Sequence, residues 1–373
     1  VGRARAGGAA CLLLASAVLA MPRVGRAGEM IRLSVATDVV ATTVSGSGLT
    51  AQPLRSGAEP RAVDGDRAEI HLSEDALLVN GEPVEGAGLV LTAEGRISVG
   101  PRTVGREVEV RRSPSGLSVV AVLPLEDYVA AVTGAEMPPS FPPEALKAQS
   151  VAARTYAVAK KLELAGSGRD SDLGATVLDQ VYPSEGEPDP RARGAAAATA
   201  GEVLVWEHEA IEAFFHSACG GRTESGADAL GRDLPYLKSV ACGHCDAAPL
   251  ARWTRTFTAA ELGKLVGLGG PATQARVLRR TGTGRVARAE LAAGGHRVAL
   301  TGADLRRRLG YGALPSLSFS IERAGQGFRF AGRGSGHGAG LCQWGAAGFA
   351  RAGRSYREIL AHFYPGTELV KMY

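Results

Sequence analysis

The sequence has no apolar run long enough to span a bilayer comfortably. The stretch from Ala9 to Met21 is uncharged, but it is shorter than the ~20 apolar residues a spanning helix needs. No lipobox follows its Cys11. An excess of one charge sign is missing too. The formal charge is +4, from 42 Lys and Arg against 38 Asp and Glu. Arg3, Arg5, Arg23 and Arg26 account for it, because residues 1–27 contain no acid. The rest of the chain is neutral, which excludes nucleic-acid binding driven by overall electrostatics. Common catalytic signatures are also absent. There is no His-Glu-x-x-His, no Gly-Lys-Ser/Thr phosphate loop and no dinucleotide Gly-x-Gly-x-x-Gly. No solenoid-type repeat is present. Cysteine is scarce: five residues, one of them Cys11.

What is present begins with the N-terminus. Arg3 and Arg5, the short apolar run and the small-x-small site Gly25-Arg26-Ala27 read as a secretory signal peptide over residues 1–27. The expected location is therefore outside the cytoplasm, in the periplasm or cell envelope. Setting Cys11 aside leaves Cys219, Cys242, Cys245 and Cys342. Four thiols in an exported chain permit two disulfides, while the Cys-x-x-Cys spacing of Cys242 and Cys245 permits zinc.

The hydropathy pattern implies an α+β fold. Residues 28–118 alternate in short segments (Ile31–Val35, Ala68–Leu72, Ala76–Val79, Val108–Arg112). Turn signals at Asp64-Gly65, Asn80-Gly81 and Pro114-Ser-Gly116 separate them. This is a β-rich N-terminal domain, with Ser45 to Pro60 read as a loop. Helices follow from Pro124 to Val132, and from a Ser140 cap to about Leu164. An alanine-rich helix covers Arg191–Ala200, and strands cover Val203–Trp206 and Ala213–Phe215. Residues 250–330 form an inserted α+β lobe, with a helix capped by Thr258 and Glu261. The remaining core comprises 119–249 and 331–373, ending in helices at Gln343–Arg351 and Tyr356–Phe363.

Three groups of residues carry possible chemistry. Glu136 lies in Gly134-Ala-Glu-Met-Pro-Pro139, among small and apolar neighbours. A carboxyl in such a setting favours its neutral form, as a general acid requires. Lys147 and Arg154 share one helix face, suited to an anionic ligand. The run Arg333 to Trp344 has glycine at 334, 336, 338 and 340, with His337, Gln343 and Trp344 among them. Glycine there admits close approach of a ligand or of another segment of backbone.

The motifs Pro124-Leu-Glu-Asp-Tyr128, Ala135-Glu-Met-Pro138 and Glu144-Ala-Leu-Lys-Ala-Gln-Ser-Val-Ala-Ala-Arg-Thr-Tyr156 occur in order. Phe215-His-Ser-Ala-Cys-Gly-Gly-Arg-Thr-Glu224, Gly336-His-Gly-Ala-Gly-Leu-Cys-Gln-Trp-Gly-Ala346 and Tyr364-Pro-Gly-Thr367 follow. Together they resemble the stage II sporulation protein D (SpoIID/LytB) family from about residue 100 onward. The resemblance implies a lytic transglycosylase acting on peptidoglycan glycan strands that an amidase has stripped of peptides. It puts the catalytic glutamate at Glu136 and important cations at Lys147 and Arg154. It places Tyr156, His337 and Gln343 in the same cleft. Lys147 or Arg154 would then hold the lactyl carboxylate bared by peptide removal. This chain departs from the family in carrying Cys219 and Cys342 where serine is frequent and in adding Cys242 and Cys245. The four thiols together suggest one structural zinc site, and the mixed Cys/His zinc sets of some members keep His216 and His244 as alternates. A non-catalytic wall-binding protein or amidase enhancer is the competing expectation.

Overall fold

The computed structural model describes residues 28–54, 59–73, 76–84, 86–174, 180, 182–183 and 186–373. The signal-peptide reading of residues 1–27 lies outside the described residues. The fold is mixed α+β, with several sheets and, among the described residues, eight α-helices. Among those residues, no helix is long and apolar enough to cross a membrane.

Two sheets occupy the N-terminal part. In the larger, Gly116–Pro124 pairs antiparallel with both Met30–Val39 and Glu107–Ser113. In the smaller, Ala41–Ser45 pairs antiparallel with Arg67–Leu72, which pairs in turn with Leu77–Val79. The alternation read from the sequence is visible in Arg67–Leu72, where Ala68 and Ile70 are buried and their neighbours exposed. Asn80 and Gly81, both at positive φ, make the two-residue turn between Leu77–Val79 and Glu82–Val84. The segment expected as a loop after Ser45 contains a strand, Thr50–Pro53, paired with Gly88–Thr92. Pairing with a strand almost forty residues away leaves little local trace.

Gly116–Pro124 runs directly into helix α1 (Leu125–Glu136), and α2 (Pro143–Leu164) follows. The cap of α2 is Pro142 rather than Ser140, and no side chain caps it. Prolines set φ for the first turn, so α2 starts without a hydroxyl cap. Helix α3 (Pro190–Ala198) is capped by Asp189, and Glu202–Trp206 forms a strand with Glu368–Lys371. Helix α4 (Gly226–Leu230) is short. The strand expected at Ala213–Phe215 is reduced to Phe215–His216, which pairs in parallel with Leu341–Cys342.

Residues 253–332 contain two three-stranded sheets, α5 (Ala259–Val266) and α6 (Gly302–Leu309). The Thr258/Glu261 capping box closes both of its hydrogen bonds. Leu262, Val286, Leu291, Leu305 and Phe330 fill a separate apolar core there. The chain then returns through α7 (Gln343–Arg351) and α8 (Tyr356–Phe363), both over the range expected. These pack on the N-terminal half of α2 through Leu146, Ala347, Phe349, Leu360 and Phe363.

Candidate active site

Glu136 is the last residue of α1. Met137 is extended, as a residue before proline must be, and Pro138-Pro139 prevents the helix from continuing. The carboxylate therefore stands at a helix end, beside a cavity of about 260 Å³. Phe141, Ser217, Leu250, Gln343 and Trp344 line the cavity with it, and Pro138 and Pro249 complete the wall. Glu136 is the sole carboxylate among the lining residues. Phe141 and Trp344 meet edge to face at 4.8 Å, giving the cavity an aromatic wall.

Gln343 and Trp344 open α7. Gln343 Nε2 donates to Glu136 Oε2 at 3.1 Å and makes a longer contact, 3.5 Å, with Gln149 Oε1. Gln149 is fully buried, and among the described residues its own Nε2 has no partner. The sequence reading omitted Gln149. Its signal is a lone amide on the buried face of α2, beside Ala148, Val151 and Ala152. Phe141, Ser217 and Leu250 were also omitted, since each reaches the cavity only through tertiary packing.

The other expected site residues lie elsewhere. Arg154 is fully buried and does not reach the cavity. It forms a bidentate ion pair with Glu126, at 2.8 Å (Nε to Oε1) and 2.6 Å (Nη2 to Oε2). It also donates to the carbonyls of Ala196 and Glu202. Burial alone would raise Glu126, but Arg154 holds this carboxyl below the usual range, helped by Tyr373 and the Gly201 N–H. These donors tie α1, α2, α3 and the Glu202 strand together. Lys147 donates to Glu144 at 2.8 Å and lies over the Tyr356 ring, while Glu144 accepts from the first N–H of α8. Lys147 is not among the cavity residues.

Tyr156 is buried against Phe214, edge to face at 5.4 Å, outside the lining. His337 is held by backbone. Its Nδ1 accepts from Ala339 N at 3.1 Å, so Nε2 carries the proton toward the Phe215 carbonyl at 2.8 Å. Burial pushes this imidazole down to about 4. The glycines around it serve chain packing. A Cβ at Gly340, where φ is +69°, would fall 1.9 Å from the Phe214 carbonyl oxygen. From the whole glycine-rich run, only Gln343 and Trp344 line the Glu136 cavity.

The four thiols of Cys219, Cys242, Cys245 and Cys342 are buried, with their sulfurs all within 4.8 Å of one another. Cys219 and Cys245 Sγ are 3.6 Å apart, far beyond a disulfide bond of about 2.05 Å. Cys342 Sγ accepts from the backbone N–H groups of Cys219 at 3.2 Å and Gly345 at 3.3 Å. Thiol contacts, chiefly from Cys219, hold Cys245 far below the ordinary thiol value, whereas burial raises Cys342. Tetrahedral zinc with Zn–S near 2.3 Å requires S···S edges near ~3.8 Å, so the donor set and its compactness fit a metal ion. His216 and His244 stand apart: His216 Nδ1 contacts the Ala339 carbonyl, and His244 packs on the Phe349 ring at 4.3 Å. Cys342 is also the N-cap of α7. The cluster therefore anchors the helix start that carries Gln343 and Trp344.

Residues 113–206 match the family model described as "Stage II sporulation protein" (SpoIID). Residues 243–340 match a domain of unknown function, DUF8618. Stage II sporulation protein D of Bacillus subtilis is 33% identical over 309 residues, covering 76% of this chain and 87% of that protein. An uncharacterized protein of Brachyspira hyodysenteriae is 36% identical over 256 residues, 68% of each chain. The amidase enhancer of Bacillus subtilis is 27% identical over 287 residues, covering 63% of this chain and 39% of that protein. The chain belongs to the stage II sporulation protein D family. Membership supports a role related to sporulation and the cell wall.

Proposed function

We propose that the protein is a peptidoglycan lytic transglycosylase, with Glu136 as its single acid/base group. The observation that carries this is Glu136 standing as the sole carboxylate of an aromatic-walled cavity, with Gln343 donating to one of its oxygens. Hydrolysis by two carboxylates needs a second acid placed for water. Glu126 is spent on Arg154, and neither it nor Asp127 lines the cavity. One group suffices when the substrate supplies its own nucleophile. Protonated Glu136 donates to the glycosidic oxygen between N-acetylmuramic acid and N-acetylglucosamine as the C1–O bond breaks. The resulting carboxylate takes the proton of the muramic C6 hydroxyl as O6 bonds to C1. The product ends are 1,6-anhydro, and no water is consumed. Gln343 holds the carboxyl, and Phe141 and Trp344 offer apolar surface to a sugar face.

Cys219, Cys242, Cys245 and Cys342 would hold structural zinc, which would cross-link the start of α7 to the Cys219 and Cys242–Cys245 segments. Export to the periplasm or cell envelope, and peptide-denuded glycan as substrate with an amidase acting upstream, belong to the same proposal. So does the division of the chain at residues 118, 250 and 330; the separate apolar core of 253–330 supports the last two boundaries.

The test is digestion of intact and amidase-treated peptidoglycan by the protein and by Glu136→Gln, read by mass spectrometry. Anhydro-muramic ends from the wild type alone are expected. Reducing ends would replace this mechanism by hydrolysis. The second reading, an amidase enhancer without its own chemistry, rests on the similarity to the protein of that name. Glycan binding without any cleavage, together with stimulation of an added amidase, would establish it instead.

A further inference from the structure

A second, larger cavity of about 710 Å³ opens in the 250–333 region, and its charge is one-sided. Arg252, Arg280 and Arg333 line it, with no Asp or Glu among the lining residues. Among the described residues none of the three arginines forms an ion pair. The floor is built by the strand register. Gly332 lies opposite both Trp253 and Phe319 in neighbouring strand pairs, and a Cβ there would fall 2.3 Å from the Trp253 ring. Glycine thus lets the indole lie across the strand, where its Nε1 donates to the Gly334 carbonyl at 3.0 Å.

The wall is pre-formed. Arg280 donates to the carbonyls of Gly284 at 2.7 Å and Phe319 at 3.0 Å. The turn after Arg280 is pinned to the core by Glu224. That buried carboxylate accepts from the Thr281 and Thr283 hydroxyls and faces Arg285 at 3.7 Å. The nearby acid is therefore already engaged within the fold. Arg252 and Arg333 make no such commitments among the described residues, and all three arginines are exposed.

The two cavities are neighbours. Leu250 lines the Glu136 cavity and Arg252 the arginine cavity, a separation of at most about 7 Å of chain. The N–H of Gly334, next to Arg333, donates to the Leu250 carbonyl at 2.8 Å. The walls of the two cavities are thus tied together at Leu250 and Gly334.

We infer that Arg252, Arg280 and Arg333 form an anionic subsite that binds carboxylates displayed by the glycan strand beside the scissile bond. This rests on the glycan reading above, and it moves the carboxylate-binding role from Lys147 and Arg154 to the 250–333 region. The chemistry required is a carboxylate on an otherwise neutral saccharide, namely the lactyl group of muramic acid once its peptide is gone. Arginine suits it because its planar fork pairs with both carboxylate oxygens.

The test uses the full chain carrying Glu136→Gln, so that binding is read without cleavage. Fluorescently end-labelled denuded glycan strands are titrated by anisotropy. The same strands with carboxylates amidated, and neutral chitin oligosaccharides, serve as controls. Arg252→Glu with Arg333→Glu is expected to weaken binding of denuded strands about tenfold or more at low salt. Binding of both neutral probes is expected to be unchanged, as is the unfolding midpoint. Equal losses on all three probes, no loss on any, or no binding by the parent protein would overturn the subsite. Tighter competition by a polyglycerol phosphate than by the strands would reassign it to phosphate. Arginine-dependent binding by a protein whose Glu136 form cuts nothing would remove the transglycosylase reading and leave this one standing. Cleavage with arginine-independent binding would do the reverse.

Discussion

Gln343 Nε2 donates to Glu136 Oε2 at 3.1 Å across 207 positions of sequence, joining the first residue of α7 to the last residue of α1. The donor's place is set by the thiol cluster, because Cys342 caps the helix that Gln343 begins. The amide therefore acts on the carboxyl from a rigid support, with Gln149 behind it.

Gln343→Ala is expected to lower kcat on glycan strands on the order of 10²-fold, the scale of a misplaced catalytic group, with KM little changed. Single-turnover digestion checks it. Gln149→Leu, which removes the partner behind the amide, should produce a smaller fall of the same kind. A pure rise in KM for either variant would mean that the amides bind substrate and do not position Glu136.

Arg154→Ala should destabilise the protein by about 3–5 kcal/mol, because it strands Glu126 and empties a fully buried site shared by three helices. Lys147→Ala should cost less than about 1 kcal/mol, since its pair with Glu144 is partly solvated. Urea unfolding measures both. Arg154→Lys should recover only part of the loss, as an ammonium cannot replace the two-pronged pair. An Arg154→Ala protein of full stability with a selective KM defect would give Arg154 the ligand-binding role.

Metal analysis of the purified protein should find one zinc per chain, and thiol titration after chelation should find Cys219, Cys242, Cys245 and Cys342 all reactive. With zinc at a thousandfold excess over its dissociation constant, chelation removes about 4 kcal/mol of stability. Cys245→Ser should lower zinc content and activity together, through the start of α7. A metal-free protein with no titratable thiols would mean disulfides.

Acid should weaken the fold in two stages. His337 is depressed to about 4, so the unfolded chain, near 6.5, binds its proton first. Stability falls as pH drops from about 6.5 toward 4. Glu126 has a lowered pKa, so its contribution is complete above the unfolded value of about 4.3 and is lost below it. His337→Gln should reduce the slope of the upper window, to which the buried His216 and also His362 contribute. Glu126→Gln should reduce that of the lower, shared with Glu109, Glu144 and Glu212. Unfolding midpoints across pH 3–8 test both.

Sequence by itself determined the local elements. Thr258 with Glu261, Pro142 before α2 and Asn80-Gly81 act on the backbone within a few residues, so their effects are readable in order. The Ala-Glu-Met-Pro setting of Glu136 is likewise local, and the four cysteines announced their number. Tertiary structure decided which groups meet. A cation on a helix face looks the same in sequence whether a carboxylate 28 positions away has claimed it or not, and Arg154 was claimed by Glu126. Arg252 and Arg280 drew no notice, and Arg333 was read only as the start of the glycine-rich run, because the spacing of the three has no period. Arg252 and Arg333 flank the sheet of Trp253–Thr258, Phe319–Ala324 and Gly327–Gly332, and Arg280, which ends a strand of the other sheet, reaches it through the Phe319 carbonyl. Zinc and disulfides are equally allowed by composition, whereas sulfur–sulfur separation is a property of folded chain packing and favours the metal.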